Sequence, residues 1–214
     1  MNRITVLVVT SLVGAMLVGC EGMGKKKESQ PSDEQAMKDK MMHRSDKAMS
    51  EAGAMGKTAM ATLKPSGAAT TQPANNNVTG TVTFTQAAPD TLKVMIAITG
   101  LAPNSKHGFH IHEKGDMSDP ALMSVGGHFN PAGHKHGGPD SPMAHAGDLG
   151  NVTADSNGAV HEERTVKGIS LDEGSPNYIV GRAVIVHGKE DDMKTDPAGN
   201  AGPRVAGGVV EMAK

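Results

Sequence analysis

Between residues 78 and 99 the chain twice alternates apolar and polar side chains with a period of two. Val78, Val82 and Phe84 share one side of residues 78–85, and Leu92, Val94, Ile96 and Ile98 share one side of residues 92–99. Successive side chains of an extended strand point to opposite faces, so each segment reads as a half-buried antiparallel strand. A helix would need apolar residues three and four positions apart. Ala87-Ala88-Pro89-Asp90 has turn chemistry and joins the two as a hairpin. Further strands are expected at residues 60–64, 108–112, 160–166, 182–187 and 205–212. With 27 glycines and Phe84, Phe109, Phe129 and Tyr178 as the only aromatic residues, the core must be built from small aliphatic side chains. The expected class is all-β, an antiparallel two-sheet sandwich or barrel.

The first residues do not belong to that domain. Met1-Asn2-Arg3 gives a positive start, and residues 4–18 are an apolar run too short to span a membrane comfortably. Leu17-Val18-Gly19-Cys20 follows and resembles the lipobox of bacterial lipoproteins. That resemblance implies a signal peptide over residues 1–19 and a lipid on Cys20. It also implies a place at a membrane surface in the oxidising cell envelope, facing the periplasm or the cell exterior. Cys20 is the only cysteine, so the chain has no intramolecular disulfide.

Residues 20–56 read as a tether, because residues 21–56 hold no Val, Ile, Leu or Phe and cannot offset their ordering entropy. Six methionines and His43 lie in this stretch and would suit Cu(I), but they show no regular ligand spacing. Methionine here reads as a helix former in a spacer. Residues 57–214 form the expected domain. The net charge of -2, with both signs interspersed and no basic stripe carrying aromatics, gives no reason to expect nucleic-acid binding.

Gly108-Phe109-His110-Ile111-His112 sets two histidines on one face of a strand, with Phe109 and Ile111 on the core side. Alone, His-x-His is weak evidence for a metal. The long Gly/Pro-rich segment after it, residues 113–150, adds His128, His136, His145 and Asp148, and a loop of that length is usually functional. Three imidazoles and a carboxylate make a closed tetrahedral zinc set. His187 ends another apolar strand, so there are more ligands than one metal needs. His134 and His161 are expected at the surface.

The motifs GFHIHEKGD, GGHFNPAGHKHGG, HAGDLGNVTAD, GRAVIVHGKEDD and GNAGPR, in that order, resemble the copper,zinc superoxide dismutase family. The likeness runs from about Thr58 to the C-terminus. It implies a Greek-key β-barrel, a two-sheet antiparallel sandwich with long metal-binding and electrostatic loops. It implies His110, His112, His128 and His187 as copper ligands and His128, His136, His145 and Asp148 as zinc ligands, with His128 the bridge. Asp191 matches the carboxylate tying a copper histidine to a zinc histidine, His107 a framework histidine, and Arg204 the arginine that guides the anionic substrate. The implied activity is dismutation of superoxide, with copper and zinc ions as cofactors and His128 and Arg204 as the catalytic residues.

Two departures from the family stand out. Leu122 and Gly207 occupy the positions where its metal-loop disulfide falls, removing a constraint usually worth about 2–4 kcal/mol. The loop is therefore expected to depend more on zinc for its order. The stretch from His187 to Arg204 is also short. Lys189 and Lys194 remain available for steering, while Pro197 stands where a lysine would help. Two other classes compete with the enzyme: a non-catalytic copper/zinc-binding or copper-delivery lipoprotein on the same scaffold, and a surface protein using zinc only to fold. No copper ligand is lost, which argues against the first. The second leaves His110, His112 and His187 without a purpose. The oligomeric state, a homodimer included, is not legible in the sequence.

Overall fold

The computed structural model describes Lys40, residues 56–67, Asn75 and residues 77–214. The signal peptide expected at 1–19, the lipidation of Cys20 and the tether at 20–56 (Lys40 and Gly56 apart) lie outside the described residues. The chain divides into two units, residues 1–41 and 42–214, and every described strand belongs to the second.

Eight antiparallel strands form one sheet: β1 (Thr58–Pro65), β2 (Thr79–Ala88), β3 (Thr91–Thr99), β4 (Lys106–Ile111), β5 (Asp148–Thr153), β6 (Val160–Lys167), β7 (Ala183–His187) and β8 (Arg204–Met212). Their order, β5-β4-β7-β8-β1-β2-β3-β6, brings non-consecutive strands together, and the sheet curls into a nearly closed Greek-key barrel. The alternation read from the sequence sets the faces. Val82, Phe84, Leu92, Val94, Ile96 and Ile98 are buried with Phe109, Ile111, Val184 and Val186 in one apolar interior. The β2–β3 hairpin is tighter than a four-residue turn. Ala88 pairs with Thr91 after a bulge at Gln86, so Pro89 and Asp90 alone make the corner, with Asp90 at φ 49°.

β5 is the strand the pattern does not reveal. It opens on Asp148, carries Gly150 in its middle and is buried along most of its length, so it shows no alternation. β5 and β6 form the edges of the sheet order and have no ladder between them. Arg164 of β6 crosses the gap instead, donating Nη1 to Leu149 O at 2.7 Å and Nη2 to Asn151 O at 3.0 Å. Two otherwise unpaired carbonyls of a sheet edge are satisfied by one guanidinium.

Two loops cover one side of the barrel: residues 112–147, between β4 and β5, and residues 188–203, between β7 and β8. Outside β7, Ala183 and Ile185 form a second apolar cluster with Leu122 and Val125 of the first loop, and Met117 packs on it. A Cβ at Gly207 would stand 2.6 Å from Ile185 Cδ1 and 3.0 Å from Leu122 Cδ1. Leu122 thus seats over a strand position where no side chain fits.

Candidate metal centre

Each histidine here has one ring nitrogen engaged by the protein. Nδ1 of His112 donates to Gly126 O at 3.0 Å, and Nδ1 of His187 donates to Gly202 O at 3.1 Å. A carbonyl only accepts, so each neutral ring turns the lone pair of Nε2 inward, and the two Nε2 atoms lie 3.4 Å apart. His110 gives Nε2 to Asp191 Oδ2 at 2.8 Å. His128 gives Nδ1 to Asp148 Oδ1 at 2.7 Å. His110 and His128 rings face each other with centroids 4.0 Å apart.

These contacts gather two sets. His110, His112, His128 and His187 bring one ligand atom each within 4.8 Å of one another, and so do His128, His136, His145 and Asp148. His128 belongs to both. Asp148 Oδ1 is the hub of the second set, 2.7 Å from His128 Nδ1, 3.1 Å from His136 Nδ1 and 3.2 Å from His145 Nδ1. Its other oxygen accepts from the Gly137 and His145 amides, both at 3.0 Å.

His110 Nδ1, His128 Nε2 and His136 Nδ1 are buried without a hydrogen-bond partner. Buried polar atoms in folded proteins are nearly always paired. Three orphans aimed into two adjacent spaces are the signature of cations, and this donor chemistry fits copper in the four-imidazole set and zinc in the mixed one.

Asp191 joins the sets. Oδ2 faces His110, while Oδ1 lies 2.9 Å from His136 Nε2 and accepts the Met193 amide at 2.7 Å. Asn151 clasps its backbone with Nδ2 to Asp191 O and Oδ1 from Asp191 N. Gly199 closes over it at φ 61°, where a Cβ would stand 1.8 Å from Asp191 Oδ1. His107 is a framework histidine as expected, with Nδ1 donating to His187 O at 2.8 Å and Nε2 2.6 Å from Ser105 Oγ.

Burial lowers the basicity of His112, His128 and His187. It drives His128 down to about 4 despite its bond to Asp148. His112 and His187 are pushed well below their usual value, first by burial, then by neighbouring imidazoles and the Arg204 charge. His136 moves the other way. Burial opposes its charge, but the close Asp148 carboxylate and the hydrogen bond and charge of Asp191 raise it to about 10. Burial would also raise the Asp148 and Asp191 carboxyls, yet their hydrogen-bonded histidines and amides hold both well below the carboxylate range.

Arg204 pairs with His187 across β7 and β8 and is half-buried. Its guanidinium donates to Leu122 O and, at 2.6 Å, to Gly126 O, the same carbonyl that orients His112. Arg182 lies 3.7 Å over the Phe129 ring, beside the shared histidine. His161 is exposed as expected. His134 is not: it is half-buried, with Nδ1 3.2 Å from Ala144 O, because Asn130 bonds its backbone at both N and O. Lys189 and Lys194 are exposed. The Gly126 and Gly202 carbonyls, the Asn151 clasp and Asp196, which accepts the His136 amide at 2.7 Å, carry no signal in the sequence. Backbone acceptors carry no residue signature, and the two side chains look like ordinary loop polar groups.

Residues 78–210 match the family described as copper/zinc superoxide dismutase (SODC). The chain is 44% identical over 143 residues to "Superoxide dismutase [Cu-Zn]" of Paramecium bursaria Chlorella virus 1, covering 64% of this chain and 74% of that protein. It is also similar to a solved structure titled "Crystal Structure Analysis of the clock protein EA4", with a TM-score of 0.64 and 39% identity, covering 74% of this chain and 96% of that one.

Proposed function

The chain belongs to the copper/zinc superoxide dismutase family, and from that we propose that it converts superoxide to dioxygen and hydrogen peroxide at a copper site bridged through His128 to zinc. The observation carrying this reading is His128 itself, shared by two buried ligand sets and left with an orphaned Nε2. His110, His112, His128 and His187 would hold copper, and His128, His136, His145 and Asp148 would hold zinc. Copper supplies one-electron redox chemistry, and zinc a fixed charge with no redox chemistry of its own.

The protein's own groups supply the rest. Reduction of superoxide to hydrogen peroxide consumes two protons, and His128 Nε2, facing the four-histidine set, accepts a proton and gives it up there. The opposite nitrogen, Nδ1, faces the zinc set beside Asp148 and is the atom that would hold zinc, so that proton enters and leaves at Nε2 only. The Arg204 guanidinium, pinned by two carbonyls, holds a positive charge beside His112 and His187 where a small anion docks. A local positive field speeds the arrival of an anion even on a net-acidic protein, and this enzyme family is itself a standard example.

The test is metal analysis of the purified protein together with superoxide decay. Copper and zinc both bound with accelerated decay is the expected result, and both bound without acceleration would overturn the reading.

We further propose that the protein is exported and held to a membrane surface of a bacterial envelope through a lipid on Cys20, with residues 20–56 as a tether to a domain spanning 57–214. The lipobox-like residues 17–20 after an apolar run support this. Mass spectrometry of the mature N-terminus should find a diacylated Cys20, and Cys20→Ser should release the protein from membranes. An unmodified Cys20 in the membrane-associated protein would exclude it.

A further inference from the structure

We propose that Met193 is an oxidation-sensitive joint, whose conversion to the sulfoxide by hydrogen peroxide loosens Asp191 and lowers the hold on zinc. This draws on the function above in one respect, that peroxide is the enzyme's own product. Met193 has φ 57°, a left-handed conformation that residues with side chains seldom adopt. Its amide donates to Asp191 Oδ1 at 2.7 Å, the oxygen that also faces His136 Nε2. The thioether lies on the backbone of the zinc-side loop: a Cβ at Gly138 would stand 3.3 Å from its Sδ, and one at Gly150 3.5 Å from its Cε. The residue is 39% exposed and lines an open groove together with His145 and Asp148. An oxidant in solvent therefore reaches a residue whose thioether packs against Gly138 of the loop carrying the zinc set and against Gly150 of β5.

The chemistry is a two-electron oxygen transfer. The Sδ lone pair attacks one peroxide oxygen, an S–O bond forms as the O–O bond breaks, and the departing hydroxide takes the proton of the transferred oxygen to leave as water. Sulfur is oxidised and peroxide is reduced, with no further reactant. The product carries a strong acceptor into a contact built for an apolar methylthio group between two glycines. The side chain lifts toward water, the left-handed backbone loses its packing, and the amide no longer fixes Asp191. Met60, Met95, Met123, Met143 and Met212 are also exposed, but none of their amides reaches the carboxylate that joins the two ligand sets.

Protein loaded with zinc alone is treated with hydrogen peroxide, which keeps peroxide chemistry at copper out of the experiment. Zinc transfer to a chromogenic chelator is followed beside peptide mass spectrometry. Zinc affinity should fall ~10–100-fold, the usual cost of losing a partner of a metal ligand, in step with sulfoxide at Met193. Met193→Leu should keep its zinc through the same treatment, and Leu122 at φ 61° shows that leucine tolerates this backbone conformation here. Met123→Leu should lose zinc like the parent, and Met193→Gln, a polar stand-in for the sulfoxide, should bind zinc weakly without peroxide. Zinc loss from Met193→Leu at the parent's peroxide dose would overturn the proposal, as would full retention with Met193 oxidised. The oxidant is added and no turnover is read, so an inactive protein would refute the dismutase reading and leave this result to stand alone.

Discussion

A buried imidazole with one nitrogen committed to a carbonyl or carboxylate can offer only the other, and this decides what each histidine can do. His112 and His187 are set by Gly126 O and Gly202 O, and His110 by Asp191. His110→Ala should abolish superoxide decay while zinc stays bound, as read by metal analysis. Arg204→Ala should slow decay about tenfold or more with both metals retained. Arg204→Lys keeps the charge but loses the fork to Leu122 O and Gly126 O, so it separates steering from loop positioning. Acid probes the same residues. His128 has a folded value of about 4 against an ordinary 6.5, so the unfolded chain binds its proton first. Stability from His128 is complete above 6.5 and is lost as pH falls toward 4, on the order of 3 kcal/mol, with His112 and His187 adding in the same direction. His136, raised to about 10, acts oppositely: its contribution is complete below 6.5 and is lost as pH rises toward 10. Urea unfolding of the metal-free protein at pH 9, 7, 5 and 4 checks both, and a flat profile would contradict them. The ligands were legible because their spacing repeats a family's motifs, and Asp191 because of its distance from His187. The carbonyls that choose which nitrogen points inward were not, since any residue could supply them.

Among the elements, strands with one wet face were legible and the strand with none was not. β2 and β3 show their alternation openly, while β5 is buried nearly throughout and begins on a ligand. In the sequence Leu122 stands out only as a missing cysteine; in the structure it has a role. It packs with Val125, Ala183 and Ile185 above Gly207, and its carbonyl accepts from Arg204. Leu122→Ala should cost roughly 2–5 kcal/mol. Gly207→Ala should cost ~1–3 kcal/mol by forcing a methyl toward Ile185. Both are read from the urea midpoint. The apolar cluster fastens residues 117–125. The next stretch is anchored at its two ends, where Phe129 enters the core and Phe129 and Gly147 bond to Ile111, and between those ends residues 130–146 carry the zinc ligands His136 and His145. Proteolysis should therefore cut the second stretch faster without zinc and leave the first little changed. Equal cutting with and without zinc would count against a zinc-ordered loop.

For the whole molecule, a net charge of -2 leaves substrate steering to local groups. Arg204 is half-buried, while Lys189 and Lys194 are exposed on a short loop. The dismutation rate should fall only shallowly with added salt, and a steep fall would show steering at full strength. The barrel as a class was legible from alternation, but its closure was not. Nothing in the sequence marks Arg164 as the group that spans β5 and β6 where the ladder stops. Leu122 seated over Gly207 bears on how such a molecule is assembled. A loop held by packing and hydrogen bonds opens and recloses without making or breaking a covalent bond. Completion of the centre is then independent of any thiol oxidation, and the order of folding and metal loading is left free. The same fastening weakens on cooling, as apolar contacts do, so chilling should loosen this loop before it disturbs the barrel.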